Sequence, residues 1–196
     1  MILRYLSRTI ACVVLLSLAA CGESGVPQSL AQTPDALIAD EVMAVAYSGF
    51  REGQHPDRGD GAVNPGDAEI LEDLQILVDH DLVLIRLYDT GENSVRTLEL
   101  IRENDLPIKV LLGIWLRAEI SNHENCPWLE EPIPDAQLAV NVIDNAAEVE
   151  RGIELSQQYD DIVVAVNVGN EALVEWNDHM VPLPNVIDYV RQVKAA

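Results

Sequence analysis

Glu171 is the carboxylate in this chain best placed to exchange a proton with a bound molecule. It follows Asn170 just beyond Ile162–Val168 (IVVAVNV), in which five of seven residues are β-branched. Such a continuous apolar run predicts a strand covered on both faces, as in a parallel α/β sheet. A carboxylate released at the C-terminal end of a parallel strand stands where α/β barrels carry their chemistry. The chemistry open to it is general acid–base catalysis. Period-two alternation puts Ala165, Asn167, Gly169 and Glu171 on one face, and in an earlier run it groups Leu84, Arg86 and Tyr88. An arginine and a carboxylate facing one interior would position each other and shift the carboxylate's proton affinity. Strict alternation turns Asn170 away from Glu171, so a role shared by the two requires the alternation to break at the strand end. Tyr47 and Trp115 close two further apolar runs. A rim tryptophan offers a flat face for stacking a ring, whereas a tyrosine there serves equally well as a core residue with a satisfied hydroxyl.

Positioning these residues requires a series of strands that all point one way. From Ile38 onward, apolar runs of strand length alternate with amphipathic segments of helix length, the pattern of successive βα units. The runs are Val42–Tyr47, Leu82–Tyr88, Ile108–Trp115 and Ile162–Val168. The first helix is predicted over Asp67–Asp79, entered through Asn64-Pro65-Gly66, with Ile70, Leu71, Leu74, Leu77 and Val78 at helical spacing. The others are predicted over Ser94–Asn104, over Asp135–Tyr159 and from about Asn185. Trp128, Trp176 and His179 fall in connections whose pattern specifies no element, and His179 reads as exposed. Four such units fit an open doubly wound sheet or the first half of a (β/α)8 TIM barrel. No Gly-x-Gly-x-x-Gly loop follows any of the runs, which removes the usual motive for the open sheet and favours the half barrel.

The formal charge of −21 makes nucleic acid and anionic lipid surfaces poor partners. It is compatible with a neutral ligand such as a glycan, and equally with acidity that serves solubility. Met1–Ala20 carries Arg4 and Arg8 ahead of the apolar core Ile10–Leu18 and ends in Leu18-Ala19-Ala20-Cys21-Gly22. That core is shorter than the roughly 20 residues needed to cross a bilayer. The segment resembles a bacterial lipoprotein signal, which implies cleavage before Cys21, lipidation of that cysteine, and a domain held outside the cytoplasm by acyl chains. Residues 21–37 read as a polar, proline-containing tether, and 38–196 as the folded part, roughly 160 residues against the ~250 of a complete eight-unit barrel. Cys12 would leave with the signal, and Cys126 has no partner for a disulfide. His123, Glu124 and Cys126 lack a second ligand pair and read as a polar loop rather than a metal site.

The segments Ala44–Phe50 (AVAYSGF), Leu84–Thr90 (LIRLYDT), Val110–Trp115 (VLLGIW) and above all Val166–Leu173 (VNVGNEAL) resemble, in order, the first four strands of glycoside hydrolase family 17. That family comprises retaining β-1,3-glucanases and related glucan transglycosylases on a (β/α)8 barrel. The resemblance implies that Glu171 is the general acid/base, that Asn170 contacts the sugar at the cleavage site, and that Tyr47, Arg86 and Tyr88 match cleft positions near the acid/base; Trp115 is expected at the rim from its own place at a strand end. It implies a β-glucan substrate and no metal or organic cofactor. The family's nucleophile, a second glutamate on a later strand, has no counterpart in this chain, so the expectation is the front part of a longer enzyme, inactive alone. A lipid-anchored glycan-binding module, in which Tyr47, Tyr88 and Trp115 stack sugars and Glu171 only accepts hydrogen bonds, is the competing expectation. A binding protein for another small solute would need a second lobe, which no segment suggests.

Overall fold

Strand and helix alternate strictly through the computed structural model, which describes residues 43–57 and 60–196. The strands are β1 (Ala44–Ala46), β2 (Leu84–Arg86), β3 (Lys109–Ile114) and β4 (Val163–Val168), and the helices are α1 (Asp67–Asp79), α2 (Glu92–Glu103), α3 (Asp135–Gln158) and α4 (Leu183–Ala195). The expected lipoprotein signal over 1–20, the lipidation residue Cys21, the tether over 21–37 and the start of the first run at Val42 lie outside the described residues. No helix among the described residues is long and apolar enough to cross a membrane.

All four strands are parallel and lie in the order β1-β2-β3-β4. A doubly wound sheet reverses its strand order at a switch point; this one advances in a single direction. The register pairs Ile85 with Val110, Leu112 with Val166 and Ile114 with Val168, so these residues share one face. That face is buried under all the helices. Ile70 and Leu74 of α1 and Leu98 and Ile101 of α2 pack with Ile85, Leu87, Val110 and Leu112, while Val149 of α3 and Val186 and Tyr189 of α4 pack with Ile114 and Leu116. The opposite face carries Ala46, Arg86, Leu111, Ala165 and Asn167 in register and is only partly covered. The result is an α/β fold with helices on one side of a parallel sheet, consistent with part of a TIM-barrel-like fold.

The assigned strands are shorter than the apolar runs, but their ladders continue past the ends: Tyr47 N–H donates to the Arg86 carbonyl at 2.9 Å and Leu87 N–H to the Leu111 carbonyl at 3.0 Å. Helix α2 begins at Glu92, before the expected Ser94, with Gly91 at its N-cap, and Asp89 braces the entry turn by accepting from Gly91 N–H and from Ser94 Oγ, both at 2.9 Å. Helix α4 begins at Leu183, with Pro184 in its first turn, where a missing N–H costs nothing. Two glycines set the close approaches on which the site depends. A Cβ at Gly113 would stand 2.5 Å from the backbone of Leu87 and Tyr88, and one at Gly152 would stand 2.5 Å from Ile114 Cδ1. Gly113 thus lets the end of β2 lie against β3, and Gly152 lets α3 settle onto the sheet.

Candidate active site

The C-terminal ends of β2, β3 and β4 bring together most of the residues singled out by type and spacing. Arg86 closes β2 with its side chain on the partly covered face of the sheet. Its Nη2 donates to Asn170 Oδ1 at 2.6 Å, and its guanidinium lies 4.8 Å from the centroid of the Tyr88 ring. The buried Nε of Arg86 has no acceptor among the described residues. Arg86 therefore reaches across β3, from the end of β2 to the turn after β4.

That turn owes its shape to a break in strand alternation. Gly169 has φ +78° and Glu171 has φ +52°, and between them Asn170 swings onto the face occupied by Arg86. Left-handed backbone is ordinary for glycine but costly for a glutamate. Asn177, buried behind the turn, donates from Nδ2 to the Glu171 carbonyl at 2.9 Å, and Val174 N–H donates to the same oxygen at 3.1 Å. The carboxylate of Glu171 points outward into solvent, with no hydrogen-bond or ion-pair partner among the described residues. The expected coupling between Arg86 and Glu171 is not formed, since the guanidinium bonds the neighbouring amide instead.

Trp115, directly after β3, is half-buried and lies with its ring centroid 4.7 Å from that of His179. His179 is held from all sides. Its Nδ1 is 2.8 Å from Asp178 Oδ1, its Nε2 is 2.9 Å from the Asn170 carbonyl oxygen and 3.0 Å from Asn177 Nδ2, and its own N–H donates to Asn177 Oδ1 at 2.9 Å. Tyr88, Arg86, Asn170, His179 and Trp115 thus form one continuous line of contacts beside Glu171. The sequence pattern reads His179 as exposed; its placement comes from the fold of the turn, which no local pattern announces.

Tyr47 stands apart from this line. The register pairs Ala46 with Arg86, which sets Tyr47 beside Leu87 on the helix-covered face, where it is buried among the residues packed on α1. Its hydroxyl donates to Asp73 Oδ2 at 3.3 Å, and burial, followed by the Asp73 carboxylate, pushes its proton affinity well above that of an ordinary tyrosine. The expected cleft residue is a core residue, because one step along a strand exchanges the two faces.

A second carboxylate escaped the sequence reading altogether. Glu119, in the connection after β3, is buried and accepts from Asn145 Nδ2 of α3 at 2.8 Å, from Asn185 Nδ2 of α4 at 2.5 Å and from the Tyr189 hydroxyl of α4 at 2.6 Å. Burial and this hydrogen bond raise the Tyr189 proton affinity. Glu119 bonds to neutral donors on two helices, so its role is to tie α3 and α4 beneath the loops. Trp128 and Trp176 are exposed and touch each other, while Cys126 is buried as a free thiol.

No family model matches the chain, and no curated protein matches it. Among solved structures, the chain is similar to an endo-laminarinase from Formosa Hel1_33_131, with a TM-score of 0.58 and 24% identity, over 78% of this chain and 37% of that one. The chain therefore spans well under half the length of the structure it matches. This likeness bears on the fold, and it agrees with the parallel sheet and its one-sided helices.

Proposed function

We propose that this chain carries the proton-donor half of a glycoside hydrolase that cleaves β-1,3-glucan. In this reading the described units are the first four of a closed (β/α)8 barrel. Glu171 protonates the leaving glycosidic oxygen, and Asn170, held by Arg86, bonds the sugar at the point of cleavage. The observation that carries the reading is the 2.6 Å contact between Arg86 and Asn170, which fixes the Asn-Glu turn at the C-terminal end of the sheet, where barrel enzymes keep their chemistry. Support comes from the ordered resemblance of four strands to glycoside hydrolase family 17 and from a structural neighbour that is itself an endo-laminarinase.

Retaining hydrolysis needs two carboxyl groups about 5–5.5 Å apart, one to give a proton and one to attack the anomeric carbon. Glu171 supplies the first, and the second belongs to βα units other than these four. Tyr88 and Trp115 stack or border the sugar rings. The residues ahead of the fold act as a lipoprotein signal, and Cys21 tethers the enzyme outside the cytoplasm of a bacterium.

The test is release of reducing ends from a linear β-1,3-glucan by the protein expressed from its complete reading frame, with and without Glu171→Gln. Cleavage that falls about 10²–10⁴-fold on substitution is the expected result. Glucan binding without cleavage would replace the enzyme by a glycan-binding module.

A further inference from the structure

Two tryptophans in the loops at the C-terminal end of the sheet take no part in the core. Trp128, in the connection between β3 and α3, is 54% exposed, and Trp176, in the connection between β4 and α4, is 49% exposed. They nevertheless sit edge to face, with ring centroids 5.9 Å apart and planes at 65°. Two exposed indoles in contact form a contiguous apolar patch, and such patches mark interaction sites where singly scattered apolar residues do not.

A hydrogen-bonded frame fixes the pair from below. Asn122 is buried, and its Nδ2 donates to the carbonyls on either side of Trp176, that of Glu175 at 2.6 Å and that of Asn177 at 2.9 Å. The Asn122 carbonyl accepts from Asn125 and Cys126 N–H, and the Cys126 carbonyl accepts from Leu129 N–H, so the turn that bears Trp128 is closed around the same residue. Asn177 donates in turn to the Glu171 carbonyl. One frame therefore carries Trp128, Trp176 and the backbone of Glu171. A rigid aromatic pair loses little entropy when it is covered by a ligand.

Charge narrows the choice of ligand. Glu124, Glu130, Glu131 and Glu175 lie exposed in the same two loops, and the whole chain is strongly acidic. Anions are repelled from such a surface, while carboxylates accept hydrogen bonds from hydroxyl groups and tryptophan faces cover the axial C–H bonds of a pyranose. The angle between the two indoles suits successive rings of a coiled chain better than those of a flat ribbon.

We propose that Trp128 and Trp176 form a stacking platform for a neutral, coiled β-glucan, extending the glycan surface outward from Glu171 along the two loops. This inference rests on the reading of glucan as the ligand. The experiment is titration of the full chain with laminarihexaose and, in parallel, with cellohexaose, followed by calorimetry and by tryptophan fluorescence. The variants are Trp128→Ala, Trp176→Ala, both together, and Arg86→Ala. Each single tryptophan loss should weaken laminarihexaose binding by about tenfold without lowering the melting temperature, and in the double variant the fluorescence change should fall to the part that Trp115 contributes. Full affinity in the double variant, with loss in Arg86→Ala, would overturn the platform and leave the glucan reading standing. Cellohexaose binding that requires both tryptophans, with no response to laminarihexaose, would keep a sugar platform but sink the preference for a coiled chain and with it the β-1,3-glucan reading. If neither sugar binds and the double variant abolishes self-association of the chain, the pair is a protein contact and the platform is overturned.

Discussion

Replacing Glu171 by glycine should make the protein more stable and inactive at once. Glu171 holds φ +52°, a conformation that costs a residue with a Cβ about 1–2 kcal/mol. Its side chain has no bonded partner among the described residues, and the contacts that hold the turn, from Asn177 Nδ2 and Val174 N–H, are made to its carbonyl. Glycine keeps both contacts and releases the strain, while the freer unfolded chain returns about 0.4–1 kcal/mol of the gain. The net stabilisation is about 1 kcal/mol, which for a chain of this size raises the melting temperature by about 2–4 °C. Glu171→Gln retains the strain and should leave the melting temperature within about 1 °C of the wild type. In the protein expressed from its complete reading frame, both variants should, on the proposed reading, lose glucan cleavage by about 10²–10⁴-fold. Scanning calorimetry and a reducing-end assay on the same preparations read the two effects. A glycine variant that melts lower than the wild type would refute the reasoning, since it would mean that the Glu171 side chain supports the fold and that the left-handed backbone is not a strain kept for the site.

Three further outcomes follow from the packing. Gly113→Ala sets a Cβ 2.5 Å from the backbone of Leu87 and Tyr88; it should destabilise by about 1–3 kcal/mol and weaken glucan binding by moving Tyr88, and an unchanged melting temperature would show that β2 and β3 are not so closely joined. Glu119→Ala leaves Asn145, Asn185 and Tyr189 without their acceptor and should cost about 3 kcal/mol in urea denaturation, much more than Glu119→Gln, which keeps one carbonyl oxygen in place. Tyr47 and Tyr189 both bind their protons more tightly when folded than the ordinary value of 10.0; an acid raised on folding contributes fully below its unfolded pKa, so stability should decline once the pH passes about 10. Replacing both tyrosines by phenylalanine should flatten that decline in a chemical-denaturation series, and an equally steep decline in the double variant would place its cause elsewhere.

What the sequence made legible was set by the range over which it acts. Helix α1 could be bounded in advance because Asn64-Pro65-Gly66 opens it and five apolar residues repeat along it. The strands were readable as apolar runs, and with them Arg86, Tyr88, Trp115 and Asn170, because each lies within two residues of a strand end. Tyr47 shares that position but sits one step out of phase with Ala46, the residue that pairs with Arg86, and only the register between strands reveals it. Glu119, Asn122 and His179 were beyond reach for a different reason. Glu119 meets Tyr189 across 70 residues and Asn122 meets Glu175 across 53. Contacts of that span depend on where two loops land after the sheet has formed, and neither helical nor strand period encodes them.

The one contact that departs from the expected chemistry also suits the proposed chemistry better. An arginine within hydrogen-bond reach of a carboxylate favours the ionised form, whereas a general acid must keep its proton until the glycosidic oxygen takes it. Here the arginine is bonded to the amide of Asn170 at 2.6 Å, and the next residue, Glu171, lies exposed. The guanidinium is thus bonded to a neutral amide and fixes Asn170, not Glu171, beyond the end of β4. The break in strand alternation coincides with two left-handed residues, Gly169 at φ +78° and Glu171 at φ +52°, and with it Asn170 stands on the face that carries Arg86.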